Sequence, residues 1–293
     1  MYAKKTVSTT AIKAPRNAIT NKLTPMFRTL LLAFLLIACF PVPSNSIATC
    51  LESSYRAYRS GETLNYKVYY TWGGAYVGAG EAQFTATLSQ FDNKPVWHVQ
   101  GEGHTYPSYD WFFKVRDLYE SYIDTATGLP LKFVRRIHEG SNRLFYQANF
   151  NANLNRAVSQ DGVFTIPTCT QDVLSAIYAA RNIDFNRYRV GDKIPINLFL
   201  DNQVYPVYIR FLGREKITTK FGTFQTIKFK PLLIEGTIFK GGEKMEVWVT
   251  DDLNRIPVMV NTPILVGHIR VFLKNYKQLK YPATGIVQFN ASH

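Results

Sequence analysis

Residues 170–182 read TQDVLSAIYAARN and set Val173, Leu174, Ile177, Tyr178 and Arg181 three and four positions apart, the spacing of one helix face. Thr170 stands where a helix N-cap belongs, and Asp172 suits the positive end of the helix dipole. On both sides of this segment the period changes to two. LNYKVYY (Leu64–Tyr70) puts Leu64, Tyr66, Val68 and Tyr70 on one face. EAQFTATL (Glu81–Leu88) does the same with Ala82, Phe84, Ala86 and Leu88, and RLFYQANF (Arg143–Phe150) with Leu144, Tyr146, Ala148 and Phe150. Such alternation marks a strand with one buried face. Beyond the helical segment, KIPINLFL, VYPVYIRFLG, EKITT, TFQTIKFKPLL, KMEVWVT, IPVMV and GHIRVFLKNYK keep that period. Asp161-Gly162 is a two-residue hairpin signal, and DNQ (Asp201–Gln203) and KFG (Lys220–Gly222) are short enough to join antiparallel neighbours. The expected fold is mainly β: an antiparallel meander forming a complete or incomplete barrel, or a two-sheet sandwich, with one central helix near 170–182.

The first 48 residues belong to a different kind of segment. They hold Lys4, Lys5, Lys13, Arg16, Lys22 and Arg28, no acidic residue, and the apolar run LLLAFLLIACF from Leu30 to Phe40. A bilayer-spanning helix needs about 20 apolar residues, whereas this run has the length of a signal-peptide core. Pro41 and Pro43 end it, and Ser46-Ile47-Ala48 offers the small side chains of a cleavage site. Met26 is an alternative start, because MFRTLLLAF alone opens a complete signal peptide. Leu36-Ile37-Ala38-Cys39 also has the form of a bacterial lipobox, and lipidation of Cys39 would attach the protein to a membrane; the Phe40-Pro41 that follows is unlike a lipoprotein tether. The expected organisation is a signal peptide over 1–48, one β-rich domain over 49–281 and a frayed tail over 282–293. The expected location is the periplasm or outer membrane of a Gram-negative bacterium.

The whole chain carries 34 Lys and Arg against 21 Asp and Glu, a net of +13. Without the six cations of the first 48 residues the balance is 28 against 21, or +7. Past that point Arg135-Arg136 is the only adjacent cation pair, so the excess suits contact with anionic envelope material and argues against nucleic-acid binding. Of three cysteines, Cys39 falls in the export segment, which leaves Cys50 and Cys169 as an even pair. In an oxidising compartment such a pair joins; the competing reading is a reactive thiol at Cys169, just ahead of the helix.

GETLNYKVYYTWGGAYVGAGEAQF, QDVLSAIYAARNIDFNRYRVGDKIPI, FGTFQTIKFKP and VWVTDDLNRIPV occur in that order. Their marks are the GE-x-L-x-Y opening, the D-x-L-S-x-x-Y helix and the W-x-x-D-D turn with its following proline. In these the chain resembles the exported bacterial family known as domain of unknown function 3108, from about Gly61 to Tyr276. The resemblance implies a largely β envelope protein. It implies no catalytic residue and no cofactor.

Four stretches invite a chemical reading. TWGGAYVGAGEA (Thr71–Ala82) looks like a phosphate-cradling loop but leads into a strand rather than a helix, so its glycines are expected to serve a bulge or a close backbone approach. HVQGEGH places His98, Gln100, Glu102 and His104 on one strand face, and His98, Glu102 and His104 are metal candidates only if Gly101 and Gly103 bend the strand. Asp110, Arg116, Asp117 and Glu120 form a charged cluster of ion-pair type. Asp251 and Asp252, with Asn254 able to adopt the left-handed conformation, read as a structural turn, and Pro257 as a mark of an edge strand or bulge. No Gly-x-Ser-x-Gly elbow is present.

Export, strand patterning and 38 Phe and Tyr residues (20 and 18) together favour a non-enzymatic module that binds an apolar or amphipathic envelope molecule or a partner protein. The alternatives are an envelope hydrolase acting on glycan or lipid through carboxylates such as Asp117 or Asp251, and a structural assembly factor without a ligand.

Overall fold

The computed structural model describes residues 50, 56–73, 75–111, 114–234, 241–264 and 267–290, all within the unit Thr49–His293. The export segment, the alternative start at Met26 and the lipidation candidate Cys39 lie outside the described residues.

The alternating segments become strands: β1 (Glu62–Trp72), β2 (Ala75–Phe91), β3 (Lys94–Thr105), β4 (Arg116–Asp124), β5 (Pro130–Glu139), β6 (Asn142–Asn151), β7 (Arg156–Ser159) and β8 (Gly162–Thr165). After β9 (Thr170–Gln171) and the helix α1 (Val173–Ala180) come β10 (Lys193–Leu200), β11 (Gln203–Thr219), β12 (Gly222–Pro231), β13 (Glu246–Thr250), β14 (Pro257–Pro263), β15 (His268–Lys277) and β16 (Ile286–Phe289). They form one sheet in the order β8-β7-β6-β5-β4-β3-β2-β1-β15-β14-β13-β12-β11-β10-β9, with β16 added on β12. Two meanders are thus stitched together by the antiparallel β1–β15 pair, Leu64 opposite Tyr276 and Thr71 opposite His268.

The mainly β expectation holds, and the sheet is an unclosed barrel rather than a complete one or a sandwich. β8 and β9 are its two ends, and among the described residues no backbone ladder joins them. Side chains span the seam instead. Phe199 of β10 meets Phe150 and Phe164, each with ring centres 5.8 Å apart. Arg135 pairs with Asp201, the Tyr146 hydroxyl donates to Asn202 Oδ1 at 3.2 Å, and Asn202 Nδ2 donates to Asp161 Oδ2 at 2.6 Å.

Helix α1 packs against β3, β4, β9 and β10. Leu174 and Tyr178 enter a core with Trp97, Val99, Phe133, Tyr146, Phe150 and Phe199, whereas Ile177, expected on the buried stripe, stays 39% exposed. A second cluster gathers Phe185, just after the helix, with Phe211, Ile227, Phe229, Val247 and Val249. A third joins Leu64, Tyr66, Phe224, Trp248, Ile256 and Leu273.

Three expectations need correction. The N-cap is Asp172 and not Thr170, which is bound into β9: Asp172 Oδ1 accepts from the Leu174 and Ser175 amides at 2.8 Å, and its own amide donates to Ser175 Oγ. This reciprocal box satisfies more free amides than a threonine two residues earlier can reach. VYPVYIRFLG and EKITT are one strand, β11, bulged between Phe211 and Gly213. The tail is not frayed through residue 290: Phe224 pairs with Ile286, and Ile286 and Phe289 pack on the third cluster. Of the two readings of Pro257 the bulge holds: β14 lies between β13 and β15, and Pro257 stands at the bulge at Trp248/Val249.

The glycines of TWGGAYVGAGEA serve backbone geometry. Gly73 turns the chain with φ +55, and a Cβ on Gly80 would lie 2.1 Å from the His104 carbonyl oxygen of β3.

Candidate functional site

The three motifs that carry the family resemblance meet in the interior. Glu62 opens β1 and is fully buried; Arg181 caps the end of α1 and is 3% exposed. The guanidinium grips the carboxylate in two bonds, NH1 to Oε1 at 2.6 Å and NH2 to Oε2 at 2.9 Å. Its Nε and NH2 also donate to the Asn254 carbonyl at 3.2 and 3.0 Å, and NH2 to the Ala57 carbonyl at 3.4 Å. Tyr58 and Tyr178 hold their ring centres 5.6 and 5.4 Å from the guanidinium carbon. The charge is thus paired in a plane, hydrogen-bonded beyond the pair and faced by two aromatic rings, which is what a charge withdrawn from water requires.

The turn that supplies Asn254 is tied as tightly. Asp252 Oδ1 accepts from Thr250 Oγ1 at 2.8 Å and from the amides of Asn254 and Arg255 at 2.9 and 3.1 Å, while Oδ2 accepts from the Gly285 amide at 3.1 Å. Asn254, fully buried, exchanges hydrogen bonds with the backbone of Tyr281. The left-handed residue is Arg255 (φ +43) and not Asn254, whose amide group is committed to those bonds. Asp251 points elsewhere and pairs with Arg214 at 2.9 Å. The adjacent aspartates therefore have separate structural tasks.

A second buried carboxyl, Asp172, receives Ser121 Oγ at 2.6 Å in addition to its two amides. Burial pushes its pKa up to about 6, and the hydrogen bonds from Ser121, Ser175 and Leu174 work against that rise.

On β3 the four polar side chains do share a face, but they disperse. His98 stacks on Tyr122 with ring centres 4.4 Å apart and touches Glu120 at 3.2 Å. Gln100 and Arg136 reach the same carboxylate. Burial opposes the charge of Glu120, yet the hydrogen bonds from Arg136 and His98 outweigh it and hold the carboxyl below its usual range. His98 and His104 are six residues apart on a strand whose register with β2 and β4 is unbroken, about 20 Å at the usual rise. Glu102 and His104 line only a shallow depression of about 380 Å³ with Arg116 and Leu118. Among the described residues no three His, Cys, Asp or Glu side chains converge as a metal would need.

The charged cluster splits as well. Arg116 pairs with Asp110 at 2.7 Å, and Asp117 accepts the His138 amide at 3.0 Å. Burial raises the pKa values of both Asp117 and Glu139, whose side chains are hydrogen-bonded to each other. Hydrolytic carboxyl pairs on glycans stand about 5–9.5 Å apart to flank the scissile bond; this pair is in contact. Cys50 and Cys169 are joined in a disulfide that closes a separation of 119 residues, and Cys169 takes the left-handed conformation (φ +62).

Sequence reasoning passed over the outer face at the β8 end of the sheet. Val158 of β7 and Val163 of β8 are directly opposite and 42% and 62% exposed, and Phe145 of β6 is 52% exposed. The available signal was an apolar residue at the outward position of consecutive strands.

The family model for "Protein of unknown function (DUF3108)" matches residues 65–274, and the chain belongs to that family. No curated protein matches the sequence. Among solved structures, the chain is similar to a β-barrel-like protein of domain of unknown function DUF1849 from Brucella abortus, at 8% identity and TM-score 0.49 over 76% of this chain and 100% of that one. It is also similar to a candidate lipoprotein of Parabacteroides distasonis (14% identity, TM-score 0.35, 77% and 100% covered). A candidate exported protein with a YmcC-like fold from Bacteroides fragilis matches at 13% identity and TM-score 0.30, covering 76% and 98%.

Proposed function

We propose that this DUF3108 protein is an exported envelope protein that works by binding a partner protein at the open end of its sheet. The observation that carries this reading is the free edge of β8. Among the described residues that strand pairs only with β7, so the backbone groups of its other edge have no sheet partner there, and it presents Val163 outward beside Val158. Unpaired strand edges are templates for an added strand, and the flanking apolar side chains supply contact area. A lipid would cover the valines but leave the backbone groups unpaired. The filled interior supports the same choice over an internal ligand: α1 and the aromatic side chains of the first core cluster occupy the concave face, and the cavity beside Phe150 and Ile166 measures about 10 Å³. The hydrolase alternative loses ground because Asp251 is tied to Arg214 and Asp117 to Glu139.

The test places a photo-crosslinking residue at Val163 in cells, with Leu253, 51% exposed in the β13–β14 turn, as the control position. The expected result is a discrete protein adduct from position 163 that is absent from position 253 and lost when Val158→Lys is added. Equal adducts from both positions, or co-purified lipid in place of a protein adduct, would refute the proposal.

A further inference from the structure

One cluster of charge lies away from both the buried Glu62–Arg181 pair and the β8 edge. On β1, Lys67 extends its ammonium over Tyr106, 5.8 Å from the ring centre, and two residues on, Tyr69 stacks on Tyr76 with centres 4.6 Å apart and planes 9° apart. Lys220, in the β11–β12 turn, sets its ammonium 3.7 Å from the centre of the Tyr69 ring and 5.1 Å from that of Phe221. Gly78 is the floor between these groups: a Cβ there would come within 3.5 Å of Tyr69, 3.8 Å of the Lys67 chain and 3.9 Å of Tyr106.

Neither ammonium has a carboxylate within ion-pair distance among the described residues. Glu81, opposite Lys67 in the β1–β2 register, is already occupied: it accepts from Lys274 Nζ at 3.0 Å and Tyr106 Oη at 3.1 Å. Partial burial and the neighbouring charge of Lys67 hold the Lys220 pKa below its usual range, which places the two cations within each other's field. The charge of Arg270 reaches Tyr76 and adds to the positive sign. Two like charges brought together on aromatic faces, with the nearest cross-strand acid spent elsewhere, are complementary to a compact polyvalent anion. Lysines engage such an anion as point charges without the planar fork that a carboxylate would match in arginine.

We infer that Lys67 and Lys220, on the platform of Tyr69 and Tyr106, form an anion site for a phosphate-bearing group. The site binds the phosphate oxygens between the two ammonium groups, while Tyr76, 46% exposed, offers a ring face to whatever the phosphate is attached to. The chemistry is common to a free phosphate compound and to a phosphomonoester lipid headgroup.

The purified protein is labelled by reductive ¹³C-methylation of its lysines, which preserves their charge, and titrated with inorganic phosphate at low ionic strength. The expected result is that the Lys67 and Lys220 resonances move on one saturable curve, that K67Q and K220Q each weaken it at least tenfold, and that K216Q, at an exposed lysine of β11, leaves it unchanged. Flotation with phosphatidic acid vesicles, against phosphatidylcholine vesicles as control, separates the sources. Binding to phosphatidic acid that K67Q and K220Q abolish assigns the site to a headgroup; saturable binding of inorganic phosphate without flotation assigns it to a soluble compound. If the two resonances respond to phosphate no more than Lys216 does, and flotation is unaffected by either variant, the inference is overturned. Thermal melts of both variants guard against misfolding, and the β8 crosslink is a separate readout, so the two proposals fail independently.

Discussion

Replacing Glu62 by Ala leaves the Arg181 guanidinium, 3% exposed, with two backbone carbonyls and two ring faces but no counter-charge. Replacing Arg181 by Met strands a carboxylate with no exposed surface. Removing one member of a buried ion pair costs about 3–5 kcal/mol, because the remaining charge stays desolvated. The bidentate geometry and the extra donation to Asn254 place both single variants in the upper half of that range. The double variant E62L/R181M removes both charges at once and is expected to lose far less than the sum, with a coupling energy on the order of 3 kcal/mol. Urea unfolding followed by tryptophan fluorescence measures this, since Trp97 and Trp248 are both buried. Against a typical domain stability of about 5–15 kcal/mol the single variants remain foldable. Single variants within about 1 kcal/mol of the parent, or a double variant that simply adds the two losses, would show that the Glu62–Arg181 pair does not hold the three motifs together.

Asp172 gives the chain a pH dependence. Its folded pKa of about 6 lies above the ordinary carboxyl value of 3.8, so its contribution to stability is fully present below the lower value and is lost as pH rises through the upper one. The gap amounts to about 3 kcal/mol. Asp172→Asn keeps the acceptor for the two amides and lets Ser121 accept instead of donate, so its stability relative to the parent should improve by up to that amount between pH 4 and 7; a constant difference in urea midpoints across that range would contradict this. Loss of the Cys50–Cys169 bridge in a double alanine variant should lower stability by up to about 4–5 kcal/mol for a loop of this length, and reductant should move the parent's unfolding midpoint towards the variant's. Gly80→Ala drives a methyl group into the His104 carbonyl and should cost about 1–3 kcal/mol or more in a thermal melt, whereas Gly103→Ala, with open space around its Cβ position, should cost little.

The strands, the helix α1 and the bulging role of the glycine run were legible because each is written in a local signal. Alternation over five to eight residues reports a half-buried strand wherever its partner lies, and a short apolar stripe preceded by Asp172 reports a helix. The same locality explains the errors. Thr170 and Asp172 are both acceptable caps in sequence, and only the pairing of Thr170 with Asn197 removes one of them. Asn254 is the more permissive residue for a left-handed turn, yet its side chain is claimed by Tyr281, so Arg255 takes the strained position.

What no local pattern could show is where the charges go. Arg181 looks like the polar end of a helix stripe, but its partners are Glu62, 119 residues earlier, and Asn254, 73 residues later. The meeting of Lys67 with Lys220, and the use of Asp252 and Asp251 for different partners, likewise follow from which strands are neighbours across the β1–β15 pair and the β11–β12 hairpin. The sequence by itself determined the secondary structure and its hydrophobic faces, because those depend on side-chain period within one segment. Tertiary structure alone decided which polar residues are paired, which remain uncompensated and which sheet edge stays open, because electrostatic partners and backbone ladders are set by distance in space.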